Sequence, residues 1–227
     1  GILPETDVCA CLVITADKGL AGAYNHNVLK RAQQMLEEHP NTKLYVVGEF
    51  GRRWFDQKNL PIEHSFLYTA QNPNMYRARE IAQVLLDGYD SGALDEIFVI
   101  YTDLGSGMAE TVRQAHLLPL QRRNAFGRSA EDEPSFDFEP SLGAVLDSVV
   151  KNYISGYIYS ALIDSFCSEQ SARMAAMNAA NKNAEELLTG LSKQYNRARQ
   201  SAITQEITEV SAGARAQKNR KREAVET

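Results

Sequence analysis

A glycine-bearing turn that follows a strand and opens a helix is where α/β proteins cradle phosphates, because the free N–H groups of the helix start point at the ligand. Lys18-Gly19-Leu20-Ala21-Gly22 holds that position in this sequence. Its glycines fit neither the G-x-G-x-x-G nor the G-x-x-x-x-G-K-[ST] spacing, which favours a tight turn whose glycines serve backbone geometry. The 4 histidines, His26, His39, His64 and His116, stand in unrelated contexts. No H-E-x-x-H helix, paired C-x-x-C or G-x-S-x-G elbow occurs, so metal and triad catalysis find no foothold, and neither a cofactor nor a metal is expected. Cys9, Cys11 and Cys167 are an odd set of 3 without framework spacing, read as buried apolar thiols of a reducing compartment. Glu185-Glu186 reads as solvated charge on a wet helix face.

Composition narrows the function classes further. With 44% apolar and 23% charged residues over 227 positions, the chain has the make-up of a folded globular protein and enough length for a core. A net charge of −5 excludes a general nucleic-acid surface, which needs clustered cations. The exception is the end of the chain, where Arg215, Lys218, Arg220, Lys221 and Arg222 make residues 214–227 a basic tail, expected to be frayed or disordered. No stretch reaches the roughly 20 apolar residues that span a bilayer, so any membrane link is expected to pass through partners. Residues 1–7 lack the basic start and apolar run of a signal peptide.

The elements that would position these residues follow from periodicity. Val8 to Thr15 is a short apolar run closed by Ala16-Asp17-Lys18-Gly19, and Asn27 to Glu38 repeats apolar residues at helical spacing until His39-Pro40-Asn41. Lys43 to Val47 reads as a strand, Met75 to Leu86 as an amphipathic helix, and Glu96 to Tyr101 as a buried strand. Gly105-Ser106-Gly107 then turns the chain toward Thr111 to Leu118, a hairpin partner. This alternation predicts a three-layer, Rossmann-like α/β domain with a mostly parallel sheet and one antiparallel edge. Residues 121–140 change composition to Arg122-Arg123, Glu131-Asp132-Glu133 and two prolines, Pro134 and Pro140, and read as a linker loop ending a 1–140 domain.

From Ser141 to Gly213 no proline occurs, which predicts a single helix of about 100 Å at 1.5 Å per residue. Such a length exceeds the diameter of a small domain, so most of the helix is expected to project as a rod. Its first part carries a wide apolar face of Leu146, Val150, Tyr153, Ile154, Tyr157, Ile158, Ala161 and Leu162, expected to lie on the α/β domain. Ala184, Leu187, Leu191, Tyr195, Ala198 and Ala202 follow at spacings of three and four, a coiled-coil seam that wants a partner helix. Alone in solution the chain is expected to self-associate or fray beyond about Ala180, since an unpacked helix is marginal.

Two segments resemble a known family. Val13 to Asn27 (VITADKGLAGAYNHN) is similar to the strand, turn and helix that open the α/β domain of γ subunits of F-type ATP synthases. Ser168 to Met177 (SEQSARMAAM) and Tyr195 to Thr208 (YNRARQSAITQEIT) resemble that family's C-terminal helix almost residue for residue, with weaker similarity at Leu117–Leu120 and Phe136–Pro140. Family members open with a long helix that winds antiparallel against the C-terminal one, and nothing before residue 8 matches it. The resemblance implies that residues 141–213 are half of an antiparallel coiled coil.

It also implies a non-catalytic central-stalk rotor subunit that couples ion-driven rotation of the membrane c ring to conformational change in the catalytic β subunits. The implied partners are the α and β subunits of F1, the ε subunit and the c ring, at the cytoplasmic face of a bacterial inner membrane. By matching position, Arg199, Gln200 and Thr204 are the implied contacts to the catalytic subunits, an arginine suiting a carboxylate bidentately. Phe136, Phe138 and Glu139 match the foot loop that touches the c ring, with packing against the domain the competing reading for the two aromatics. Arg173 carries either a coupling role or a local helix-pair role. Two further readings of the residues stay open: a nucleotide-binding α/β protein with a helical oligomerisation arm, using Lys18 to Gly22, and a stand-alone coiled-coil adaptor.

Overall fold

The computed structural model describes residues 7–67, 69–105, 110–120 and 142–223, with side chains from 147 to 218 in the last stretch. The elements run β1 (Cys9–Ile14), α1 (Tyr24–Glu38), β2 (Thr42–Val47), α2 (Glu49–Gln57), β3 (Ile62–Phe66), α3 (Met75–Asp90), β4 (Glu96–Leu104), β5 (Glu110–Leu118) and α4 (Leu142–Glu223). The strands form a 5-stranded sheet in the order β3-β2-β1-β4-β5. β1 pairs in parallel with β2 and β4, β2 with β3, and only β4 and β5 are antiparallel. The mostly parallel sheet with one antiparallel edge that the alternation predicts is what forms.

β1 lies at the centre, and all six of its residues are buried. Alternate side chains of a strand point to opposite faces, so Ala10, Leu12 and Ile14 enter one core and Cys11 and Val13 the other. Val28, Leu29, Ala32 and Met35 of α1 and Phe55 of α2 complete the second core. The first is closed by Ala78, Ile81 and Leu85 of α3 together with Ile154, Ile158, Ala161 and Leu162 of α4. Three layers result, and the apolar face at the start of α4 lies on the sheet as expected. Tyr153, placed on that face by spacing, is 48% exposed.

Two elements have no counterpart in the sequence reading, α2 and β3. α2 is only 9 residues long and carries Gly51 in its interior, too short for a helical period to declare itself. β3 is an edge strand, IEHSF, with only Phe66 buried, so it lacks the apolar run that marks a strand. Between β2 and α2 the chain turns at Gly48, whose φ of +94° belongs to glycine. A Cβ there would lie 2.3 Å from the Thr15 carbonyl oxygen. Asn74 caps α3, its side-chain oxygen accepting from the Arg77 N–H at 2.9 Å.

Contacts divide the chain into two units, Gly1–Ala176 and Met177–Thr227. In the second unit the helix continues to Glu223, and every described side chain from Met177 to Lys218 is exposed. That stretch, residues 177–223, is about 70 Å of helix at the standard rise. Its end differs from the frayed tail expected from Ala214 onward: the backbone stays helical through Glu223. Alanine, arginine, glutamine and lysine, which dominate there, are strong helix formers.

Candidate functional site

The crevice at the carboxyl ends of β1 and β4, where the strand order reverses, is the place at which open α/β sheets bind ligands. In this chain its own residues fill it. Tyr24, 2% exposed, stands there beside the Thr102 and Ser165 hydroxyls, and burial pushes its phenol well above the usual range against their pull. The Ser165 hydroxyl oxygen accepts from the Thr102 N–H at 3.4 Å, and the Ser168 hydroxyl donates to the Thr102 carbonyl at 3.5 Å. Ala16, Ala21, Tyr24 and Ala172 form a small core of their own.

Backbone amides on either side of the turn are committed within the chain. The Ala16 N–H donates to Asn25 Oδ1 at 2.9 Å, the Tyr24 N–H to the Ala21 carbonyl at 3.1 Å and the Asn27 N–H to the Ala23 carbonyl at 2.9 Å. Asp17 Oδ1 accepts from the Glu49 N–H at 3.0 Å, placing a carboxylate at the mouth of the turn. Lys18-Gly19-Leu20-Ala21-Gly22 is a tight turn with Leu20 and Gly22 at positive φ, 64° and 55°.

Against this turn lies Arg173. Its Nη2 sits 2.5 Å from Glu169 Oε1, one helical turn earlier, and 3.4 Å from the Gly19 carbonyl oxygen. Glu169 is only 6% exposed. Desolvation raises its carboxyl above the ordinary value, Asp17 adds to the rise, and Arg173 pulls the other way. Beside the pair a shallow depression of about 290 Å³ is lined by Asp17, Lys18, Gln71, Phe166, Glu169 and Arg173, among others.

The second unit has a different character. Leu187, Leu188, Leu191, Tyr195, Ile203, Ile207 and Val210 are all exposed large apolar residues, and the seam expected from spacing has no partner among the described residues. A groove of about 470 Å³ runs along Asn183, Glu186, Leu187, Gly190, Leu191 and Gln194. Arg199, Gln200 and Thr204 are exposed on the same stretch. Thr204 Oγ1 donates to the Gln200 backbone carbonyl at 2.8 Å. Phe136, Phe138 and Glu139 fall outside the described residues, as does the linker at 121–140.

Among the described residues no group of three or more His, Cys, Asp and Glu side chains could hold a metal ion. Cys9 and Cys11 are buried as expected, burial pushing their thiols up to about 11 and about 12. Cys167 corrects the expectation, being exposed. It lies on the flank of α4 turned from the sheet, where helical geometry rather than residue type sets exposure.

With this geometry in place, comparison with known proteins is decisive. The sequence pattern of the family described as ATP synthase matches residues 3–217. An ATP synthase gamma chain from Caldanaerobacter subterraneus subsp. tengcongensis is 43% identical over 213 residues, covering 89% of this chain and 72% of the relative. The chain belongs to the ATP synthase gamma-chain family. As a member it is a gamma chain of an ATP synthase complex. Another member, the gamma chain described as sodium ion specific from Acetobacterium woodii, is 34% identical over 228 residues, covering 93% of this chain and 76% of the relative.

Solved structures share the fold. A chain of the Tetrahymena thermophila mitochondrial ATP synthase central stalk and c ring superposes with a TM-score of 0.62 at 24% identity, covering 77% of each chain. One from the Euglena gracilis mitochondrial ATP synthase reaches 0.68 at 16% identity over 92% of this chain and 72% of that one. At these identities the likeness speaks for architecture alone.

Sequence reasoning found Arg173 but missed what holds it. Glu169 four residues earlier was legible as an i,i+4 pair. Tyr24, Ser165 and Ser168 gave no such signal, since only the sheet topology brings them together.

Proposed function

We propose that this gamma chain works as a mechanical coupler without chemistry of its own, turning with the membrane c ring and biasing the catalytic β subunits among states of different nucleotide affinity. A rotor can shift those states only through contacts that differ between them. The observation that carries the reading is the second unit: some forty consecutive helical residues from Met177 to Lys218 whose described side chains are all exposed, with an apolar seam that has no partner among the described residues. Burying that seam requires a partner helix or other chains beyond the described residues. In this reading Arg199, Gln200 and Thr204 touch the catalytic subunits, Phe136, Phe138 and Glu139 touch the c ring, and Arg173 serves coupling from within the first unit. The α, β and ε subunits are its soluble partners.

The site supports the absence of catalysis, because the crevice that would hold a nucleotide is filled by Tyr24, Ser165 and Ser168. Among the described residues no helix is long and apolar enough to cross a membrane. Attachment through the c ring at the cytoplasmic face of a bacterial inner membrane fits the reading.

The test is assembly and coupling. The full gamma chain should co-purify with α and β subunits, and Arg199→Ala combined with Gln200→Ala should lower ATP-driven ion pumping several-fold in the assembled enzyme, as lost charge-assisted hydrogen bonds would. Saturable nucleotide binding by the isolated chain, with normal pumping in the double variant, would refute the coupler reading.

A further inference from the structure

Six residues at the end of the first unit lie on one stripe of α4: Ser165, Ser168, Glu169, Ala172, Arg173 and Ala176, spaced by three, one, three, one and three. Each meets the β1–α1 turn, the residues that follow it, or β4. Ser165 and Ser168 engage the Thr102 backbone, and Ala172 packs with Ala16, Ala21 and Tyr24. Arg173 reaches the Gly19 carbonyl, and the Ala176 methyl would be 4.0 Å from a Cβ placed on Gly22.

The stripe contrasts with the α4 face one to three turns earlier, which is held by Ile154, Ile158 and Leu162. Apolar burial is non-directional, and a helix seated on it alone resists rotation about its own axis only through shape. A guanidinium held by a carboxylate and set against a fixed carbonyl is directional, since its donors are locked in a plane. Glu169 supplies that direction at 6% exposure, with its Oε1 on Arg173 Nη2.

We propose that Glu169 is a positioning residue for torque transfer, latching Arg173 onto the Gly19 carbonyl and so fixing the rotational setting of α4 on the β1–α1 turn. The inference rests on the coupler reading for its functional consequence, while the latch itself is a property of this chain. Net stability does not account for the residue. Its carboxyl is raised by desolvation despite the pull of Arg173, so the ionised form is held at a cost rather than as a gain. A purely structural role predicts the opposite.

Glu169→Gln in the full gamma chain tests this. In the isolated chain the thermal midpoint should stay unchanged or rise, while amide exchange at Lys18–Gly22 and at 169–176 quickens about tenfold, as local opening without global unfolding does. Reassembled into the synthase, the variant should hydrolyse ATP at the unsubstituted rate yet pump several-fold fewer ions per ATP, and Glu169→Asp should restore part of the ratio. Unaltered exchange at the turn would overturn the latch whether or not the complex assembles. So would a fall in the midpoint with exchange quickened throughout the sheet, which is the mark of a structural residue only. Should the unsubstituted chain fail to assemble, the coupler reading falls, and the exchange measurement still decides the latch.

Discussion

Between Val149 and Ile163, α4 is crowded with valine, isoleucine and tyrosine, residues that lose side-chain freedom in a helix and rank low among helix formers. From Met174 to Leu191 alanine, leucine, methionine and glutamate, which rank high, predominate over a few asparagines and Gly190. The first stretch includes Ile154 and Ile158 at 0% exposure, whereas Leu187 and Leu191 in the second stand at 68% and 60%. One helix is thus specified in two ways. Where a sheet is present to pack on, burial overrides poor propensity, and where the described residues offer no surface, propensity carries the helix. The apolar side chains of the second stretch are left exposed among the described residues.

The largest test of this contrast applies one substitution to both stretches. Ile158→Asp places an unpaired charge between α4 and the sheet and should cost roughly 5 kcal/mol, the range of exceptional mutations that bury an uncompensated charge. Leu191→Asp in the isolated chain should stay within about 0.5 kcal/mol, since the site is already in water. Urea midpoints followed by circular dichroism measure both. Equal losses would mean that the second unit has a core of its own, and the contrast would fail.

Glycine sharpens the comparison at an intermediate scale. Gly48 sits at φ +94° and ψ 140°, outside the regions that L side chains favour, and its hypothetical Cβ falls 2.3 Å from one carbonyl oxygen and 2.8 Å from a second. Gly48→Ala should cost about 3 kcal/mol, combining the 1–3 kcal/mol of a strained backbone with the shift needed to relieve the clash. Because the β2–α2 turn rests on the Thr15 and Ala16 carbonyls, the loss should appear as a lower thermal midpoint with the far-ultraviolet spectrum of the folded chain retained.

How much of this was legible follows the same division. α1 and α3 declare themselves because one buried face imposes a period near 3.6, and β1, β2 and the β4–β5 hairpin because they are short apolar or β-rich runs bounded by turn residues. α2 and β3 do not, being short and half-exposed, so the 49–66 segment reads as silence. The filled crevice was half visible: the wrong glycine spacing at Lys18–Gly22 spoke against a phosphate loop, but nothing local says that Tyr24 would meet Ser165. That meeting depends on a separation of well over a hundred residues closed by the sheet order. Arg199, Gln200 and Thr204 were recognised from family resemblance alone. Exposed positions on a helix with no packing constraint carry no physical mark of their role, and the structure adds only that they are free to be touched.

The smallest effect concerns Gly190, and it should have the opposite sign to Gly48. No heavy atom lies within 4 Å of a Cβ built there, so alanine meets open space in the chain itself. Glycine in a helix interior costs about 1 kcal/mol relative to alanine through backbone entropy. Gly190→Ala should therefore raise the helicity of the second unit and slow amide exchange around 186–194 by about fivefold, consistent with roughly 1 kcal/mol. The thermal midpoint of the sheet-bearing unit should not move. In the assembled synthase the same methyl enters the groove formed with Leu187 and Leu191. If a partner backbone approaches there, the variant should stabilise the isolated chain and yet weaken assembly, an antagonism that a purely solvent-facing glycine would not produce. Stability and assembly rising together would show instead that the groove is unoccupied and that Gly190 merely softens the helix.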